Sequence, residues 1–145
     1  MQPARLVVMS MLVLLGAGST ASAFEDQDII DYREHIMVTL DEQTAALGML
    51  MATQIPPDNL AAHAEAIALT AKQALKSFEP KVQGGESKPL VWEQWADFSE
   101  RMNSFAKKTE ALAVTARTKG QDAMMTEVVD ALSCKGCHDV YRNKK

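Results

Sequence analysis

Cys134 and Cys137 are the only cysteines of the chain, and His138 follows the second directly. Cys-x-x-Cys-His is the pattern by which a c-type haem is attached. Two thiols add across the vinyl groups of the porphyrin, and the neighbouring imidazole takes the iron. On a helix, at roughly 100° per residue, positions i, i+3 and i+4 share one face. Cys134, Cys137 and His138 would then address one flat cofactor, with Lys135 and the small Gly136 turned away.

Two other chemistries use such a pair. A disulfide or thioredoxin-like redox couple places it at a helix start after a strand, and no strand-like alternation precedes Ser133. A zinc site needs further ligands, and the remaining histidines, His35 and His63, lie on distant segments. Covalent haem c, one per chain through Cys134 and Cys137 with His138 on the iron, is the expectation.

Four segments must position that motif. The stripe Ile29, Arg33, Ile36, Met37, Leu40, Thr44, Leu47 and Met51 has helical spacing and predicts a first helix over about Asp26 to Met51. Pro56 and Pro57 end it, and Asp58 is the expected N-cap of a second helix. That helix carries Leu60, Ala64, Ile67, Leu69, Ala71, Leu75 and Phe78 and stops at Glu79-Pro80. A loop with Gly84-Gly85 at its centre leads to Pro89, in the first turn of a third helix reaching about Thr118. After Lys119-Gly120, a fourth helix is expected from Gln121 to about Arg142, with Met125, Val128, Val129 and Leu132 leading into the motif. The predicted fold is all-α, an antiparallel four-helix bundle with the haem near the C-terminal helix.

The N-terminus carries Arg5, an apolar run from Leu6 to Ala17 and the small residues Ala21-Ser22-Ala23. This is the pattern of a signal peptide cleaved after Ala23. The expected organisation is therefore a signal over 1–23 and one domain over 24–145, located in the periplasm, where haem meets exported thiols. The net charge is −4, and cleavage removes only a positive charge, Arg5. An acidic chain with a short basic tail does not fit a nucleic-acid binder. No run after Ala23 is long and apolar enough for a membrane span.

Function turns on the iron's other axial position. Met37 lies within the first stripe, and a thioether opposite histidine raises the potential for electron transfer. A buried methionine is more often a flexible core filler, and Met49, Met51, Met102, Met124 and Met125 are not ranked below it by periodicity. His35 stands about 200° from Met37 around the helix, and His63 lies between alanines. Arg33, four residues before Met37, and Arg142, four after His138, each carry a fork that could pair with a haem propionate.

With Asp31-Tyr32-Arg33-Glu34, Gly84-Gly85-Glu86-Ser87-Lys88-Pro89-Leu90-Val91-Trp92 and Ser133-Cys134-Lys135-Gly136-Cys137-His138-Asp139-Val140-Tyr141-Arg142, the chain resembles the cytochrome c-prime family. These are bacterial four-helix-bundle c-type cytochromes, and the resemblance spans nearly the whole mature chain. It implies two branches. In the high-spin branch an apolar distal residue leaves the iron five-coordinate and open to nitric oxide or carbon monoxide. In the low-spin cytochrome c-556 branch a methionine is the sixth ligand. Four residues on from the arginine of the Tyr-Arg pair stands Met37, which the resemblance makes that ligand, beside the more polar His35 and Thr39.

The expected function is thus a periplasmic electron carrier with His138/Met37 ligation, serving redox partner proteins. The alternative is a five-coordinate protein that binds a diatomic gas. No acid–base or nucleophile constellation suggests an enzyme. The resemblance also admits a homodimer through the first two helices, where Ala61, Ala62 and Ala68 hint at an exposed small-residue face.

Overall fold

The computed structural model describes residues 25–144, so the expected signal peptide lies outside the described residues. Its elements are α1 (Asp26–Met51), α2 (Leu60–Phe78), α3 (Leu90–Glu93), α4 (Trp95–Lys119), α5 (Gln121–Met124), α6 (Val128–Ala131) and α7 (Lys135–Tyr141). Among the described residues there is no strand, and the mostly helical chain matches the expected all-α bundle.

Three long rods, α1, α2 and α4, make the body. Their apolar positions recur at helical spacing, and the resulting stripes meet in one core of Leu47, Leu50, Ile67, Leu112 and Met124, each essentially without solvent contact. Small residues on α2, Ala64, Ala71 and Ala74, are buried as well and let the neighbouring rods approach closely. Ala68 is buried and Ala61 half-buried, so the small-residue face expected at the surface is largely turned inward; Ala62 alone of the three is exposed.

The ends are closed by side chains from elsewhere. Gln121 Nε2 donates to the carbonyls of Leu50 and Met51 at 3.2 and 3.3 Å, satisfying the C-terminus of α1. Trp92 Nε1 donates to the Phe78 carbonyl at 2.9 Å at the end of α2. Asp58 does not cap α2. It lies within a 3₁₀ turn over Pro57–Asn59, and Asn59 occupies the cap position without a side-chain hydrogen bond.

The third and fourth predicted helices are interrupted. Gln94 leaves helical geometry (φ −115°, ψ 42°) and separates α3 from α4, so that Val91 and Phe98 both reach the core. The fourth helix is in fact three short pieces. Tightened bonds, Glu127 N to Met124 O and Cys134 N to Leu132 O, replace the regular ladder between them. These breaks shift the register: Met124, Ala131 and Tyr141 are the buried anchors, while Met125 and Val129, expected in the apolar stripe, are exposed. Pieces of four to seven residues do not sustain themselves as helices. They lie where their anchors pack.

The loop before α3 is fastened to the tail. Lys88 N donates to the Tyr141 carbonyl at 2.9 Å and Asn143 N to the Glu86 carbonyl at 2.8 Å. Gly85 has φ +60°, and a Cβ there would stand 2.7 Å from Glu34 Oε1 of α1. A side chain at this point would meet both backbone strain and a close neighbour.

Candidate haem site

The motif is built as its spacing requires. Cys134 sits at the N-cap of α7, and His138 N donates to the Cys134 carbonyl at 3.1 Å, so one helical turn joins the first thiol to the imidazole. Both thiols are free, not paired as a disulfide. Among the described residues no three His, Cys, Asp or Glu side chains gather as a metal-ion site, which leaves the pair without the partners of a zinc centre.

Cys134, Cys137 and His138 open onto a cavity of about 970 Å³. Its opposite wall is α1, through Arg33, Met37, Leu40, Asp41 and Thr44; α4 contributes Phe98, Met102 and Phe105, and Gly84 and Gly85 lie at its margin. Its volume and lining are in keeping with a porphyrin-sized guest that is mostly apolar with a few polar contacts. Gly136, expected to turn away, also lines it. It does so because its carbonyl is drawn to α4, where Arg101 Nη1 donates to it at 2.9 Å.

The predicted site residues converge here. Met37, half-buried, and His138 line the same cavity, whereas His35 is exposed and His63 is tied to Gln43 Oε1 between α1 and α2 at 2.8 Å. Of the other methionines, Met102 is buried against the cavity, Met124 lies in the core, and Met49 and Met125 are exposed. Arg33 is 2 % exposed. Its Nη1 donates to the Val82 carbonyl at 2.7 Å, and its guanidinium lies 5.1 Å from the Trp92 ring centroid and 5.4 Å from that of Phe78. Its Nη2 is buried without a partner. An orphaned cationic donor at the wall of this cavity fits a guest that brings an anionic oxygen, as a haem carboxylate does. Arg142 also lines the cavity, half-exposed, with Nε 4.0 Å from Glu86 Oε2.

The electrostatics favour a neutral, ligating imidazole. Burial, and then the Arg142 charge, lower the His138 pKa below its ordinary value. Burial raises both thiols, with Arg101 opposing the shift at Cys137. Burial also lowers Arg33, and the Glu34 carboxylate opposes that shift only in part.

Sequence reading missed Asp97 and Arg101 as site components. The i, i+4 spacing of Asp97 and Arg101 was the available signal. Asp97 accepts a bond from Arg101 Nε at 2.7 Å and another from the Tyr141 hydroxyl. Tyr141 itself is buried against Phe98, with ring centroids 5.2 Å apart.

Residues 28–142 match the family model described as Cytochrome C′. The chain belongs to the cytochrome c′ family. It is 31 % identical to the cytochrome c′ of Rubrivivax gelatinosus over 81 % of this chain and 95 % of that one. It is 25 % identical to the cytochrome c′ of Alcaligenes xylosoxydans xylosoxydans over 82 % and 96 %. The structure of cytochrome c prime from Shewanella frigidimarina superposes with a TM-score of 0.76 at 28 % identity, covering 84 % of this chain and all of that one. A nitric oxide complex of a cytochrome c prime variant from Alcaligenes xylosoxidans superposes at 0.77, with 25 % identity and 84 % and 100 % coverage.

Membership brings covalent haem c with it, held by this family through the motif that Cys134, Cys137 and His138 form here. It also corrects the expected function. The relatives are cytochromes c′, one of them studied as a nitric oxide complex, and they favour gas binding over His/Met electron transfer. Met37 does face the cavity, but a methionine in a haem pocket wall also serves as a compliant apolar filler. Membership of the family does not by itself make this chain a low-spin cytochrome c-556.

Proposed function

We propose that the protein is a five-coordinate haem protein of the periplasm that binds a diatomic gas, nitric oxide or carbon monoxide. One observation carries the reading: the two thiols and His138 face α1 across a single cavity, in a chain similar to a cytochrome c prime variant solved as a nitric oxide complex. When bound, the haem supplies an iron with one open coordination position.

The chain's own residues do the rest. Cys134 and Cys137 would hold the porphyrin by thioether bonds, and His138, kept neutral by burial and by Arg142, would offer a ring nitrogen to the iron. The unpartnered Nη2 of Arg33 would take a propionate, while Trp92 and Phe78 hold its guanidinium in place. Arg142, whose Nε lies a long 4.0 Å from Glu86, is free to swing toward the second carboxylate or the proximal face. On the opposite wall, Met37 and Leu40 exclude water from the gas position without competing for it. Residues 1–23 export the chain, and the mature protein begins at Phe24.

Absorption spectra of the purified ferric and ferrous protein test this. A high-spin ferric spectrum that is unaltered in type by Met37→Ala, with a ferrous form whose bands move on adding carbon monoxide, is expected. A ferric methionine–iron charge-transfer band lost in Met37→Ala, with no carbon monoxide response, would overturn it.

A further inference from the structure

Asp97 and Arg101 stand one turn apart on α4 and belong to neither the attachment motif nor the opposite wall. Between them they hold α7 at both ends. Arg101 Nη1 takes the Gly136 carbonyl at 2.9 Å in the first turn. Asp97 takes the Tyr141 hydroxyl in the last, and the Arg101 guanidinium lies 5.9 Å from the Tyr141 ring centroid. The 2.7 Å Asp97–Arg101 ion pair joins the two grips into one unit.

This is a large investment of polar contacts in a seven-residue helix. The ion pair itself is about half-exposed, 49 % at Asp97 and 41 % at Arg101, and exposed pairs add little to stability. Its geometry nevertheless constrains one thing closely. Gly136 lies between the two thiols, so fixing its carbonyl fixes the roll of α7 about its axis. That roll sets where Cys137 and His138 point, since both lie on the side of α7 that lines the cavity. The far side of α7 is fixed less directly, by Lys88 Nζ on the Val140 carbonyl at 2.9 Å.

We propose that Arg101, oriented by Asp97, is a positioning residue that sets the angle at which His138 meets the haem iron and thereby tunes the affinity of the gas site. The proposal rests on the haem-protein reading above. Its physical basis is general: the partners behind a metal ligand orient it and commonly change the site's affinity or activity by 10–100-fold when removed.

The test uses the haem-loaded protein and four variants: Arg101→Gln, Arg101→Lys, Asp97→Asn and, as a distant control, Arg117→Gln. Arg117 pairs with Glu65 at 2.8 Å, on α4 and α2 and outside the cavity lining. The readouts are the ferric absorption and electron paramagnetic resonance spectra, the carbon monoxide dissociation constant, and Tm. Arg101→Gln is expected to move the haem spectra and change carbon monoxide affinity on the order of tenfold, with a Tm change no larger than that of Arg117→Gln. Arg101→Lys retains one donor for the Gly136 carbonyl and should fall between wild type and Arg101→Gln. Wild-type spectra and affinity in Arg101→Gln, an equal change in Arg117→Gln, or loss of that ordering would overturn the proposal. Should Arg101→Gln fail to fold, Asp97→Asn decides. It keeps an acceptor for Tyr141 while loosening Arg101, and a smaller spectral shift of the same kind is expected; none would overturn the proposal. A wild type without covalent haem on a denaturing gel defeats the haem reading itself, whereas a loaded wild type with an indifferent Arg101 defeats only this inference.

Discussion

The bundle has two halves built on different physics. The rods α1, α2 and α4 are 26, 19 and 25 residues long and hold one another through a dry apolar core. The limb α5–α7 consists of pieces of four, four and seven residues, yet it carries both thiols and the histidine. Long amphipathic helices are stabilised by burial along their whole length. Short pieces are held by a few anchors and by polar ties, here Tyr141, Arg101, Lys88 and Asn143. Stability and site geometry therefore reside in different places, and substitutions should separate them.

The largest separation should come from the rods. Ile67→Ala deletes a fully buried side chain of α2 away from the cavity wall and is expected to cost about 2–5 kcal/mol in denaturant unfolding. The haem bands should stay at their wild-type positions. A spectral shift in this variant would join the two halves that the comparison separates.

A smaller and more local effect is expected at Tyr141. Tyr141→Phe keeps the ring packed on Phe98 but removes the hydroxyl bond to the exposed Asp97 carboxylate, so a loss of stability smaller than that of Ile67→Ala is expected in denaturant unfolding. Burial and then the Asp97 carboxylate raise the Tyr141 pKa above its ordinary value of 10.0. The stability linked to it is complete below that value and is lost as pH rises through the folded-state pKa. Thermal unfolding of the wild type should thus show an alkaline loss that Tyr141→Phe lacks.

The smallest effect lies at the exposed pair. The Arg101 and Tyr141 hydrogen bonds hold the Asp97 pKa below its ordinary 3.8. Its contribution is present above that value and disappears as pH falls through the lowered one. Wild type and Asp97→Asn should differ in Tm at neutral pH and converge in strong acid. High salt should narrow the same difference, because exposed charges are screened.

Some of the site was legible before any coordinates. Cys134, Cys137 and His138 are a local pattern, and local spacing alone puts them on one face. Arg33 was visible as a charge inside an apolar stripe whose fork could pair with a haem propionate, but not as a buried residue. Arg101 and Asp97 were not legible, because their roles arise where α4 meets α7 across 35 or more positions of sequence. The expected continuous fourth helix failed for a related reason. Propensity and periodicity spoke for a helix from Gln121 onward, but the packing of Met124, Ala131 and Tyr141 against the rods breaks it into three.

The sequence by itself determined the helical class, the limits of the first two rods, and the covalent chemistry, since each follows from neighbours within a few turns. Only the tertiary structure decided that α1 faces the motif across one cavity, that Arg33 is buried with an unpartnered nitrogen, and that α7 is gripped from α4. Those facts depend on how rods separated by many residues pack together. Side-chain periodicity states which face of a helix is buried, not which neighbour it is buried against.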